Sequence, residues 1–320
     1  MKSFLGKLTV YILLLGTLLS LYVLIVYFRP DLVDLFYYRF TTPKASSLIL
    51  GSSRAAQGLK PSTINKKLGR DENTKIINHA FAGGPSTIGP NYYREITQKL
   101  KQGSKDGIFI ISVTPWTFTT GTDNIDDDSL QFFEVKRKLY VGNLKSSSTN
   151  PNLEYLWKYW HNKFSVFEYA FKYMINYGGI LRLHADGWLE VDIDMDSTVV
   201  NQRIKTAMAE FTETAKHVKW SNTRYFFFEK IIDYLQKRGK VYFVRMPVSK
   251  DMAELEHAYF PGFDEQMKIT ADRYNIHYIN FIHESGKYKT TDVHHLWRES
   301  SEIISNKLSD SLLYYRNNQP

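Results

Sequence analysis

Near the start of a cysteine-free chain of 320 residues stands Gly51-Ser52-Ser53-Arg54, and near its end stands Asp292-Val293-His294-His295. A serine hydroxyl is a weak nucleophile at neutral pH. It becomes a useful one when an imidazole within hydrogen-bond reach takes its proton and a carboxylate holds that imidazole. Asp292 and His295 are three apart just ahead of a C-terminal helical stretch, so on one helical turn both side chains point the same way. His294 is the alternative base in a shifted register. Gly83, in INHAFAGG, follows an apolar run, and without a Cβ its N–H can approach a developing oxyanion. This is the equipment of acyl transfer through a serine ester. A plain turn at GSS and a histidine bonded to a backbone carbonyl are the simpler alternatives.

The serines, the glycine and the Asp–His pair can work together only if the fold delivers them to one rim. SLIL (47–50) predicts a buried strand that runs into the GSSR turn, and KIINHAF (75–81) a second that enters Gly83-Gly84. A helix is predicted over 91–103, stopped by Gly103, and a third strand at GIFIISVTPW (107–116). Near-continuous apolar strands separated by helices imply a parallel sheet buried on both faces. From about 119 to 222 the alternation breaks into an acidic loop, an aromatic stretch and a polar segment, which read as a helical insertion or cap. It resumes with helix 224–239, strand 240–248, helix 263–275, strand 276–282 and a last helix from about 300 to 315. The expected class is α/β: a three-layer α/β/α sandwich with a mostly parallel, flavodoxin-like sheet. Its function would collect at the carboxyl ends of the strands.

With the blocks in place, the chain resembles the SGNH (GDSL-like) hydrolase superfamily. Gly51-Ser52-Ser53 stands for the family's GDS block, which makes Ser53 the implied nucleophile, with Ser52 in the place of the aspartate. INHAFAGG supplies the second-block glycine at Gly83, and Asp292-Val293-His294-His295-Leu296 matches the closing DxxH block. The third block departs from the pattern. Ser112 and Thr114, in IISVTPW, stand where the family has Gly and Asn, so the oxyanion hole would rest on the N–H groups of Ser53 and Gly83, with Thr114 or Asn91 as a further donor. The GSSR form, the divergent third block and an apolar N-terminus are similar to the membrane-anchored, exported branch. That branch holds the D-alanyl transfer protein of teichoic acid modification and the alginate O-acetylation proteins, which work beside a membrane-bound O-acyltransferase. The resemblance covers about 45–120 and 225–318.

No charged residue interrupts positions 8–28, about the length of apolar helix that crosses a bilayer. A cleaved signal peptide would have a shorter apolar region and small residues at its end, whereas this run ends in Tyr27-Phe28-Arg29-Pro30. Residues 1–28 therefore read as a cytoplasmic tail and transmembrane anchor and 29–45 as a juxtamembrane linker, with 46–320 forming the SGNH-like domain. Lys2 and Lys7 keep the tail inside, which exports the domain. The net charge of +8 is dispersed among acidic residues and forms no nucleic-acid motif.

Weaker candidates remain. Arg54 and Arg245 could each bind an anionic substrate group, although for Arg54 pairing with a nearby carboxylate is the simpler expectation. DIDMDS (192–197) and TDNIDDDS (122–129) alternate carboxylates as calcium loops do but lack the full ligand pattern, so they read as solvated loops and no metal is expected. Trp157, Trp160 and Trp188 could form a carbohydrate platform, though core packing is the default. Gly51-Ser52-Ser53-Arg54-Ala55 also approximates a nucleophile elbow of α/β-hydrolases, but strands before it and a separate acid are lacking.

The expected function is that of an anchored, extracytoplasmic esterase or O-acyltransferase. Its substrate would be acyl esters of a cell-surface glycan or related polymer, and its Ser–His–Asp set needs no cofactor. The alternative is a catalytically silent scaffold or glycan-binding partner of a membrane O-acyltransferase.

Overall fold

The computed structural model describes residues 2–82, 88–122, 141–159 and 180–317. Five strands form one sheet: β1 (Ser47–Leu50), β2 (Ile76–Asn78), β3 (Gly107–Ser112), β8 (Gly239–Arg245) and β9 (His277–Asn280). Their order is β2-β1-β3-β8-β9, and all four pairings are parallel, with Leu48 opposite Phe109, Ile111 opposite Phe243 and Val244 opposite Ile279. The chain goes outward from β1 to β2 and then returns to the other side of β1 as β3. The strand order thus reverses between β1 and β3, the place where such sheets leave a crevice beyond their carboxyl ends.

Alternate strand residues face opposite ways. Leu48, Leu50, Phe109, Ile111, Val241 and Phe243 join one cluster with Ile96 of α4 (Pro90–Lys99), Phe228 and Ile231 of α7 (Asn222–Gln236) and Met267 of α9 (Phe263–Arg273). Ile49, Ile110, Tyr242 and Val244 join another with Ala55 of α2 (Ser53–Gly58), Ile64 of α3 (Pro61–Leu68), and Ile304 and Leu308 of α10 (Arg298–Asn317). Both faces of the strands are therefore apolar, which is why their sequences show no polar alternation.

Between β3 and β8 the chain leaves this sheet. β4 (Thr119–Gly121) pairs antiparallel with β7 (Val218–Trp220), Thr119 opposite Trp220, so the two ends of the excursion are clasped together. Within it lie α5 (Leu153–Tyr159), the hairpin of β5 (Ile180–Leu183) and β6 (Leu189–Asp192), and α6 (Ser197–Lys216). DIDMDS opens α6: Asp196 is its N-cap, accepting the Thr198 N–H at 2.8 Å, while Asp192 pairs with Arg298. TDNIDDDS lies almost wholly outside the described residues.

Among the described residues one helix is long and apolar enough to cross a membrane, over Phe4–Phe28 of α1 (Lys2–Phe28). Residues 29–45, read from sequence as a linker, instead fold onto the domain. Val33, Tyr37 and Phe40 are buried, and Asp34 accepts the N–H groups of Phe36 and Tyr37 and the hydroxyl of Tyr155. The ammonium of Lys99, buried at the end of α4, donates to the carbonyls of Arg39, Thr42 and Ser147 at 2.6–2.7 Å. A charge taken out of water needs such acceptors, and these tie the segment after α1 to the sheet's covering helix.

Candidate active site

β1 delivers the first element of the site. Gly51 follows it at φ +133°, and a Cβ there would lie 2.7 Å from the Ser112 carbonyl oxygen, so the chain can pass this close to β3 only as glycine. Its N–H donates to the Tyr92 hydroxyl (2.9 Å), which in turn donates to the His79 carbonyl (3.1 Å). The two neighbouring serines then part company. Ser52 caps α2, its Oγ accepting the Arg54 N–H and its carbonyl the N–H groups of Ala55 and Ala56. Ser53 is the first residue of α2 and is half-buried. As a first-turn residue it carries an N–H with no acceptor inside the helix.

The second element is a loop rather than the helical turn expected from the Asp292–His295 spacing. Thr290 and Leu296 form an antiparallel bridge, and α10 begins only at Arg298. Asp292 bends the loop by accepting, at Oδ1, the N–H groups of His294 and His295, both at 2.9 Å. An aspartate that bonds its own downstream backbone makes such a turn without a helix. Oδ2 lies 2.7 Å from His295 Nδ1, and His295 Nε2 lies 2.8 Å from Ser53 Oγ. An ionised carboxylate can only accept, so Nδ1 carries the proton, and Nε2 is left to accept from the serine hydroxyl. The structure thus brings Ser53, His295 and Asp292 into one hydrogen-bonded chain.

The electrostatics favour that arrangement. Burial works to raise the Asp292 pKa, but the hydrogen bond and charge of His295, with the His294 contribution, hold it well below the usual carboxylate range. Burial, then repulsion from His295, keeps the His294 imidazole neutral by pushing its pKa well below the ordinary histidine value. Asp292 opposes this and Arg54 adds to it. The His294 ring lies 3.8 Å from the His295 ring and packs edge-on against Phe211 of α6 at 4.8 Å. Ligand atoms of Asp292, His294 and His295 lie within 4.8 Å of one another, a grouping that could hold a cation. Both His295 nitrogens and both Asp292 oxygens are already hydrogen-bonded, which explains their orientation without one.

Compared with family models and with curated proteins, the chain gives no match. The site is therefore read from its own geometry.

Other residues singled out in the sequence fall variously. Gly83 lies outside the described residues. Thr114 is buried two residues after β3, and its Oγ1 is buried without a hydrogen-bond partner. Asn91 is buried in the first turn of α4, with its backbone against Gly142. Arg54 and Arg245 are both buried and meet at one carboxylate, that of Glu256. Trp188 is buried, donating to the Gln57 carbonyl at 2.7 Å; Trp157 is exposed on α5; Trp160 lies outside the described residues.

Glu256 was not a sequence candidate. It sits on α8 (Lys250–Tyr259), a helix the sequence reading passed over. Its Oε1 accepts from Arg54 (2.5 Å) and from the Trp116 indole (2.7 Å), and its Oε2 accepts from Arg245 (3.0 Å). These donors follow or end β1, β3 and β8, so one buried carboxylate gathers three carboxyl-terminal strand ends. The available signal was Ser249 followed by Asp251, a helix start with an acid in its first turn.

Proposed function

We propose that this chain is a membrane-anchored, extracytoplasmic serine esterase or O-acyltransferase of the SGNH type, acting on acyl esters of a cell-surface polysaccharide or related polymer. The observation that carries the reading is the Ser53–His295–Asp292 chain, with contacts of 2.8 and 2.7 Å. It is supported by the position of Ser53 directly after β1, beside the reversal of strand order between β1 and β3.

In this mechanism Ser53 Oγ attacks the acyl carbonyl while His295 Nε2 takes its proton, and Asp292 steadies the imidazolium that results. The Ser53 N–H receives the oxyanion, with the Thr114 hydroxyl and the Gly83 N–H, which the family resemblance implies, as further donors. Collapse of the tetrahedral species expels the alcohol, which His295 protonates, leaving an acyl ester on Ser53. Water, or a hydroxyl of the acceptor polymer, then attacks that ester by the reverse sequence. Hydrolysis and transfer differ only in this second nucleophile. We further read α1 as an anchor with the N-terminus in the cytoplasm, the domain as a three-layer sandwich, and a membrane-bound O-acyltransferase as the partner class.

The test is covalent labelling of the full chain in detergent with a fluorophosphonate probe, mapped by mass spectrometry. An adduct on Ser53 that is lost in His295→Ala supports an activated nucleophile. Folded protein that takes up no label rules this reading out and leaves the scaffold function.

A further inference from the structure

Leu153 and Trp157 stand four apart on α5 and are 60% and 86% exposed, while Tyr155 and Leu156 between them are buried. Residues four apart share a helix face, so these two form one apolar patch turned to the outside. Its place in the fold is specific. Just ahead of α5, the Asn150 side chain donates to the Tyr27 carbonyl in the last turn of α1 (3.3 Å). Asn152 donates to the Tyr37 hydroxyl (2.8 Å) and to the Phe40 carbonyl (3.1 Å). Val26 of α1 is buried in the same cluster as Tyr155 and Leu156. The patch therefore adjoins the end of the apolar helix.

The surroundings match a lipid surface. Asn150 also lines a recess of about 520 Å³ together with Lys44, Lys75 and Lys101; among the described residues Glu72 is the one acidic residue lining it, and it pairs with Lys75. Tryptophan favours the level of the headgroups, where its ring meets acyl chain and its N–H meets water, and lysines at that level face anionic lipid. We propose that α5 is a second membrane contact, in which Leu153 and Trp157 enter the interfacial zone of the bilayer beside the exit of α1. This rests on the reading of α1 as an anchor. A single helix would leave the domain free to turn about it, whereas a second contact fixes which face of the domain meets the membrane.

The experiment reconstitutes the full chain into vesicles of phosphatidylcholine and phosphatidylglycerol, with or without shallow bromine on the acyl chains. Tryptophan quenching is then read in wild type, Trp157→Phe and Leu153→Asp. No tryptophan precedes Trp116, so α1 itself contributes no signal. Bromolipid is expected to quench wild type, with the quenched fraction falling roughly twofold in Trp157→Phe. Leu153→Asp, which keeps every tryptophan, should also be quenched less and so stands in should Trp157→Phe misfold. Co-flotation with vesicles reports α1 separately. Chains that float but show equal quenching in all three forms overturn this inference alone, and a wild-type chain that does not float removes the anchor reading together with it.

Discussion

Arg54, next in the chain after Ser53, donates through Nη2 to Oε1 of Glu256 at 2.5 Å, and both side chains are buried. The helix that carries Glu256 also meets the opposite half of the site, since its N-cap Ser249 donates its N–H to the carbonyl of Val293 (2.9 Å), the residue after Asp292. α8 thus braces the nucleophile turn and the Asp–His loop at once. Glu256→Ala leaves the buried Arg54 guanidinium without its carboxylate, while Arg245 keeps Asp264, a loss of about 3–5 kcal/mol. Urea unfolding should show that drop, while Glu256→Gln, which keeps one acceptor oxygen, should fall between. An alanine variant as stable as wild type would mean that Glu256 is not the brace.

Asp292 serves two ends, and a single substitution separates them. In Asp292→Asn the amide oxygen can keep accepting the His294 and His295 N–H groups that shape the loop, but the amide nitrogen then faces Nδ1 and favours the wrong tautomer. Fluorophosphonate labelling of Ser53 should slow by about 10²- to 10⁴-fold with little change in stability. Labelling at the wild-type rate would remove Asp292 from the chemistry.

Gly51 and Gly69 both have positive φ, but only the first is crowded. A Cβ at Gly51 meets the Ser112 carbonyl oxygen at 2.7 Å, whereas nothing lies within 4 Å of one at Gly69. Gly69→Ala should cost only the left-handed backbone strain, about 1 kcal/mol. Gly51→Ala should cost more and also displace Ser53, abolishing its labelling. Equal effects from the two substitutions would show that the close approach to β3 does not position the serine.

How far the sequence disclosed this arrangement differs from part to part. SLIL, GIFIIS and KVYFVR are strands buried on both faces, and burial leaves a nearly uninterrupted apolar run that can be read directly. Ser53, Asp292 and His295 were legible as residue types, but the reason for their meeting was not. An aspartate three residues before a histidine suits a helical turn and an Asx-type loop equally, and only the hydrogen bonds to the backbone separate the two. Residues 29–45 looked like a linker because their burial depends on partners far along the chain, such as Lys99 and Tyr155. Glu256 was illegible for the same reason: Trp116 and Arg54 lie 140 and 202 positions away from it.

The last prediction concerns acid. His79, the residue after β2, is fully buried, and its Nε2 lies 3.2 Å from Glu95 Oε1. Burial pushes its pKa from 6.5 down to about 4, against the pull of Glu95; burial works to raise the Glu95 pKa, but the hydrogen bonds that carboxylate accepts, from His79 and the Gly142 N–H among others, together bring it below the ordinary value. The folded chain therefore keeps His79 neutral where the unfolded chain protonates it. Between these two values the unfolded state binds more protons, so stability is fully present above about pH 6.5 and is lost as pH falls toward about 4. Glu95 acts in the same direction, its contribution fading as pH drops through its lowered value. By pH 5 the stability lost through His79 amounts to about 2 kcal/mol. Urea midpoints at pH 7 and pH 5 should therefore fall further apart in wild type than in His79→Gln, which removes the titrating ring. The same pH dependence in both proteins would place the acid sensitivity elsewhere, beginning with His294, whose imidazole burial also holds neutral in the fold.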